Sequence, residues 1–83
     1  MDKNQLIDKL NHILAEEFEV DVNAITPDAN IKHTLMLNSL DAVDMIAVIE
    51  YEFGIKIPSE VYTKTKIFAE LYDYLLNNIK EEK

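Results

Sequence analysis

Ser39 is one of two serines in a chain that also holds two histidines, His12 and His33, and no cysteine. It stands at the start of an apolar-periodic stretch, with Asp41 and Asp44 close behind it. A hydroxyl in the first turn of a helix projects beside backbone N–H groups that lack an intrahelical acceptor, a setting that favours a phosphate. The two acids cut against simple anion binding. They suit a metal-assisted reaction on Ser39, or recognition by a basic partner. Read alone, a serine beside a helix start is a cap residue far more often than a functional site, by about five to one on cap preferences. Serine hydrolysis needs a base nearby, and His33 lies six residues away in a stretch read as loop, without a Gly-x-Ser-x-Gly elbow. His12 reads as a solvated surface residue beside the stripe of the first helix. A calcium loop would need a central glycine among acids, and Gly54, the only glycine, lacks that setting. No residue set reads as catalytic or as a metal site.

Composition narrows the partners. The chain has 83 residues, 16 acids against 8 basic residues, and a formal charge of −8. Length allows one domain, residues 1–83, with a thin core that buries about 60–65% of the unfolded surface and leaves little room for a deep cleft. Acidity argues against nucleic acid and against an anionic membrane surface. It predicts a soluble monomer whose partners carry basic patches. Zero cysteines exclude a disulfide framework and an intrinsic thiol nucleophile. The longest apolar run, Met45-Ile46-Ala47-Val48-Ile49, is far short of the ~20 residues that span a bilayer. A cytoplasmic protein without membrane insertion is the expectation.

The elements that must position Ser39 are helical. Leu6, Leu10, Ile13, Leu14 and Phe18 form one stripe of a helix over Lys3–Phe18, with Asp2 and Gln5 suited to cap its start. From Val20 to Asn38 the periodicity fades; Ile25, Ile31, Leu35 and Leu37 are expected to pack this long connection across helix ends. Asn38 suits the N-cap of a second helix over Ser39–Phe53, with Asp41 favourable to its dipole and Gly54 as a left-handed C-cap. Ser59–Tyr62 reads as a single turn. Thr63 or Thr65 then caps a last helix over Lys66–Ile79, and Lys80-Glu81-Glu82-Lys83 is expected to fray. The fold class is all-α: a small bundle of three main helices plus one short helix.

The second helix has apolar residues to spare. At about 100° per residue, Ala42, Met45, Ile46, Ile49 and Phe53 share a core stripe, whereas Leu40, Val43, Ala47 and Tyr51 lie on another arc near Asp44 and Glu50. Two readings stand: a central helix buried on both sides, or a docking strip that is apolar in the middle and acidic at the rim.

Leu37-Asn38-Ser39-Leu40-Asp41-Ala42-Val43-Asp44-Met45, followed by Ile49-Glu50, Phe53 and Ile57-Pro58-Ser59-Glu60, resembles the acyl carrier protein family. Glu17-Phe18, the loop Ile25-Thr26-Pro27-Asp28-Ala29 and Asp73-Tyr74 extend the resemblance over nearly the whole chain. The resemblance implies a shuttle and not an enzyme. Ser39 would be esterified with 4′-phosphopantetheine, taken from coenzyme A by a separate phosphopantetheinyl transferase. The arm's thiol would carry acyl groups as thioesters in fatty acid or specialised acyl or polyketide-type synthesis. Asn38, Leu40, Asp41, Val43, Asp44, Ala47, Glu50 and Glu52 fall where the family meets basic patches of acyl-transferring and synthase enzymes. Ile46, Ile49 and Ile57 are candidates to line an acyl pocket, beside an ordinary role in the core.

Three departures from the family pattern stand out. Asn38 replaces the usual Asp before the serine, keeping the cap but losing a charge. Leu35-Met36 replaces the usual Leu-Gly, so the loop loses backbone freedom. Tyr51 replaces a commonly acidic residue. The alternative is a non-catalytic helical interaction domain that keeps the carrier fold without a prosthetic group.

Overall fold

The structure is a computed structural model that describes residues 2–79. Three long helices, α1 (Lys3–Phe18), α3 (Ser39–Phe53) and α5 (Phe68–Asn78), are joined by two short ones, α2 (Ile31–Leu35) and α4 (Ser59–Lys64), with a 3-10 turn at Val22–Ala24. The described residues contain no strand, and their one β-bridge pairs Asn30 with Ile67. The all-α bundle is as expected, with α2 added inside the connection that was read as loop. His33 therefore sits on a helix, exposed. The fraying expected of Lys80–Lys83 lies outside the described residues.

Local chemistry accounts for the helix ends. The Asp2 carboxylate accepts the Gln5 N–H at 2.8 Å while the Gln5 side chain accepts the Asp2 N–H at 3.1 Å, a reciprocal cap. Leu6, Leu10 and Leu14 then turn one face of α1 into the core. Gly54 ends α3 at φ 66°, its N–H donating to the Glu50 carbonyl at 2.8 Å.

The start of α5 differs from expectation. Thr63 and Thr65 do not cap it, because their hydroxyls donate backwards within α4, to the Ser59 carbonyl at 2.7 Å and the Val61 carbonyl at 2.8 Å. Glu70 does the work from inside the helix. Its carboxylate accepts the N–H of Lys66 at 2.7 Å and of Ile67 at 3.3 Å, and α5 begins at Phe68.

The long connection is stitched to this helix start. Ile31 N–H donates to the Lys66 carbonyl at 3.0 Å, Phe68 N–H to Ala29 at 3.2 Å, and Ala69 N–H to Pro27 at 2.9 Å. With its backbone paired, the connection sinks Ile25, Ile31 and Leu35 into the core and packs Leu37 against it. These join Leu6, Leu10, Leu14, Met45, Ile49, Ile57, Phe68, Leu71, Tyr72 and Leu75 in one buried cluster. The Tyr72 phenol, nearly buried, donates to the Asn11 side chain at 2.6 Å and ties α5 to α1. Burial pushes that phenol's pKa up, and the bond to Asn11 offsets part of the rise.

The amides of Lys66 and Ile67 hold the Glu70 pKa below the ordinary glutamate value. A depressed carboxylate contributes stability that is present above its unfolded pKa and is lost as pH falls through the folded one. The urea midpoint of the native chain should therefore exceed that of Glu70→Gln at neutral pH, with the gap closing as the solution is acidified through the carboxylate range. A gap that stays constant with pH would contradict this role.

Candidate functional site

Helix α3 is rotated by its core stripe. Ala42, Met45 and Ile49 are buried, and Ile46 and Phe53 lie partly against the cluster. The opposite arc faces solvent: Leu40 is 79% exposed, Val43 66% and Tyr51 86%, with Ala47 exposed between them. At about 100° per residue these four side chains fall within about 80° of arc. The reading of a helix buried on both sides is thereby excluded, and an unpartnered apolar strip runs the length of α3. Met36, 78% exposed, precedes it.

Ser39 takes the first helical position of α3 and is exposed. Asn38 caps the helix as expected, its Oδ1 accepting the Asp41 N–H at 2.8 Å. That bond uses one of the free amides of the first turn and leaves those of Ser39 and Leu40 without an intrahelical acceptor. Before the cap, Met36 closes α2 at φ 55°, and its N–H and that of Leu37 return to the His33 and Lys32 carbonyls at 3.3 and 2.9 Å. A left-handed conformation costs a residue with a Cβ about 1 kcal/mol, so methionine is strained where glycine would be at ease.

A groove of about 440 Å³ opens beside the serine, lined by Lys32, Leu37, Asn38, Ser39, Ala42 and Tyr62. Lys32 brings a positive charge to an otherwise acidic neighbourhood, its ammonium lying 5.7 Å from the centre of the Tyr62 ring. Neither Lys32 nor Tyr62 stood out in the sequence. Periodicity says nothing about an α2 lysine meeting an α4 tyrosine. A second hollow, of about 190 Å³, lies between α3 and α4 and is lined by Val43, Ile46, Ile57, Ser59 and Tyr62. Of the three pocket candidates, Ile46 and Ile57 face this hollow, whereas Ile49 is fully buried in the core.

The acids divide. Asp44 is exposed next to the strip and Asp41 is half-buried near its start. Glu50 is half-buried, and its carboxylate accepts the Ile57 N–H at 2.7 Å, clasping the α3–α4 connection. Glu52 lies on the α1 side, in an open groove with Lys9, His12, Ile13 and Glu16. No cluster of three or more acids and histidines among the described residues has a geometry that would hold a metal. No helix among them is long and apolar enough to cross a membrane.

Comparison with known proteins bears on this arrangement directly. Residues 8–75 match the family model described as a phosphopantetheine attachment site. The chain is 32% identical over 79 residues to an acyl carrier protein of Thermosynechococcus vestitus, covering 95% of this chain and 98% of that one. The chain belongs to the acyl carrier protein family. It is likewise 33% identical over 78 residues to an acyl carrier protein of Rubrobacter xylanophilus, covering 94% of this chain and 96% of the relative. Acyl carrier protein AcpXL of Mesorhizobium japonicum is 40% identical over 57 residues, 69% of this chain and 61% of that one. The prosthetic group of the family is 4′-phosphopantetheine, attached covalently.

Because Glu50 is engaged inside this acyl carrier protein, its loss should be felt in the fold. Removing a charged acceptor from a half-buried amide costs about 1–2 kcal/mol. Glu50→Ala should lower the urea midpoint accordingly, while an Asp44→Ala chain stays within about 0.5 kcal/mol of the parent. Equal stability of the two variants would show that the clasp contributes nothing.

Proposed function

We propose that this chain is a carrier whose prosthetic group is esterified to the Ser39 hydroxyl by a separate phosphopantetheinyl transferase using coenzyme A. The observation that carries the reading is the placement of the motif Asn38-Ser39-Leu40-Asp41. It puts an exposed serine on the first turn of α3, inside the matched family region. The surroundings fit the group. The free amides of the first turn and the nearby Lys32 ammonium suit a phosphodiester, and the groove along Leu37, Ala42 and Tyr62 gives an arm a partly apolar path.

When bound, the arm supplies the thiol that a cysteine-free chain lacks, and with it the capacity to hold acyl groups as thioesters. The protein's own residues supply the rest. Asn38 satisfies the Asp41 amide and holds the first turn in shape, so the serine hydroxyl is presented from a rigid element. Substitution of Asn for Asp at this cap keeps the bond; what it removes is one negative charge from the face offered to the transferase.

The strip Leu40, Val43, Ala47 and Tyr51, rimmed by Asp41 and Asp44, serves as the docking face for acyl-transferring and synthase enzymes that carry basic patches. Glu50 and Glu52 add to the negative field around α3 without lying on the strip itself. Ile46 and Ile57 line the hollow that receives an acyl chain, with Ile49 as buried support beneath. The carrier works in the cytoplasm, in fatty acid or specialised acyl or polyketide-type synthesis, and catalyses no step itself.

Incubation with coenzyme A and a broad-specificity phosphopantetheinyl transferase tests the reading by intact mass. The chain should gain a single phosphopantetheine group, and Ser39→Ala should gain none. An unshifted mass, or a shift that survives Ser39→Ala, would sink the reading; the first result favours an unmodified interaction domain.

A further inference from the structure

Lys32 is the one charged side chain among the described residues that line the groove beside Ser39. The acids at the start of α3 are not part of that lining. At about 100° per residue, Asp41 and Asp44 sit about 160° and 140° around the helix from Ser39, across from the side on which Ala42 meets the groove. Asn38 preserves this separation. Its Oδ1 accepts the Asp41 N–H at 2.8 Å. An aspartate would satisfy the same amide, but it would bring a carboxylate into the groove to compete for the ammonium. The chain thus takes the cap without the charge.

The stem of Lys32 is fixed near the serine by backbone bonds. Ile31 N–H donates to the Lys66 carbonyl at 3.0 Å, and Leu37 N–H donates to the Lys32 carbonyl at 2.9 Å, tying this lysine to the segment that leads into Ser39. Its ammonium lies 5.7 Å from the centre of the Tyr62 ring. At an exposed residue such a contact is weak, and a phosphate oxygen is a stronger partner for an ammonium than the face of a ring. A phosphodiester esterified to Ser39 cannot diffuse away, so the pair forms within one molecule at high effective concentration.

We propose that Lys32 and Asn38 together pin the phosphodiester of an arm attached at Ser39. Lys32 leaves the Tyr62 ring to pair with the phosphate charge, and Asn38 caps α3 without adding a rival carboxylate. The first linkage of the arm is held against the groove while its thiol end stays free to move. The proposal rests on Ser39 as the attachment residue.

NMR of the chain before and after modification with coenzyme A and a broad-specificity phosphopantetheinyl transferase tests it. Intact mass first establishes loading; a parent chain that gains no mass, or a Ser39→Ala chain that does, overturns the attachment reading and the proposal with it. Before modification, the ε-methylene protons of Lys32 should resonate upfield, shielded by the Tyr62 ring. After modification they should return toward the position of a solvated lysine. The second readout is the phosphorus resonance of the phosphodiester from about 20 mM to about 1 M sodium chloride, because salt screens an exposed ion pair. In the parent this resonance should move with salt, and in Lys32→Gln it should stand near the high-salt position throughout. Lys32→Arg should restore the salt response, and Asn38→Asp should reduce it with helicity unchanged. Lys32 signals that do not move on modification, or a Lys32→Gln phosphorus resonance that follows the parent at every salt concentration, would overturn the pairing. A full salt response in Asn38→Asp would overturn the part assigned to Asn38.

Discussion

Burial of Met45 and Ile49 in the shared core, with Ala42 also buried on that side of α3, is the interaction on which the rest of the molecule depends. A helix fixed about its axis by three inward side chains has no choice about what it turns outward. Leu40, Val43, Ala47 and Tyr51 are left in water, and Ser39 is left at an exposed first turn. A thin bundle has too little interior to enclose both faces of its central helix. The exposed strip and the accessible serine therefore have one cause.

The second dependence is on the long connection. Its backbone is paired with the start of α5 through Pro27, Ala29 and Ile31, so α2 and the Asn38 cap are held at a set position beside α3. Lys32 is carried by α2 and Tyr62 by α4, and their contact beside Ser39 follows from that pairing and from the Glu50 clasp on Ile57. Met36 marks the strain in this arrangement. It keeps a left-handed turn that glycine would adopt freely, and it places another large apolar side chain in solvent ahead of α3.

What was legible in the sequence is what local chemistry decides. The bounds of α1 and α3 followed from periodicity, from the Asp2 and Asn38 caps and from Gly54, and of the four apolar anchors of the connection Ile25, Ile31 and Leu35 entered the core while Leu37 packed against it. Ser39 was picked out by its place at a helix start and by the motif around it. The start of α5 was misjudged because Thr63 and Thr65 donate to their own helix, a competition that propensity does not resolve. Helix α2 was missed because five residues are too few to show a period. Glu50 looked like one more surface acid until the fold curled the Ile57 amide back onto it, and Tyr62 gained its place only through contacts across three elements.

Under the proposed function, the outward strip that the rotation of α3 creates, beginning at Ser39, is the surface read by enzymes that act on this carrier. Amide-resolved NMR of the labelled chain, titrated with a phosphopantetheinyl transferase in the absence of coenzyme A, tests it most directly. Shifts concentrated on Ser39, Leu40, Val43, Asp44, Ala47 and Tyr51 are the predicted result. Shifts concentrated instead on the α1 groove, around Lys9, Ile13 and Glu16, with the α3 strip unmoved, would contradict it.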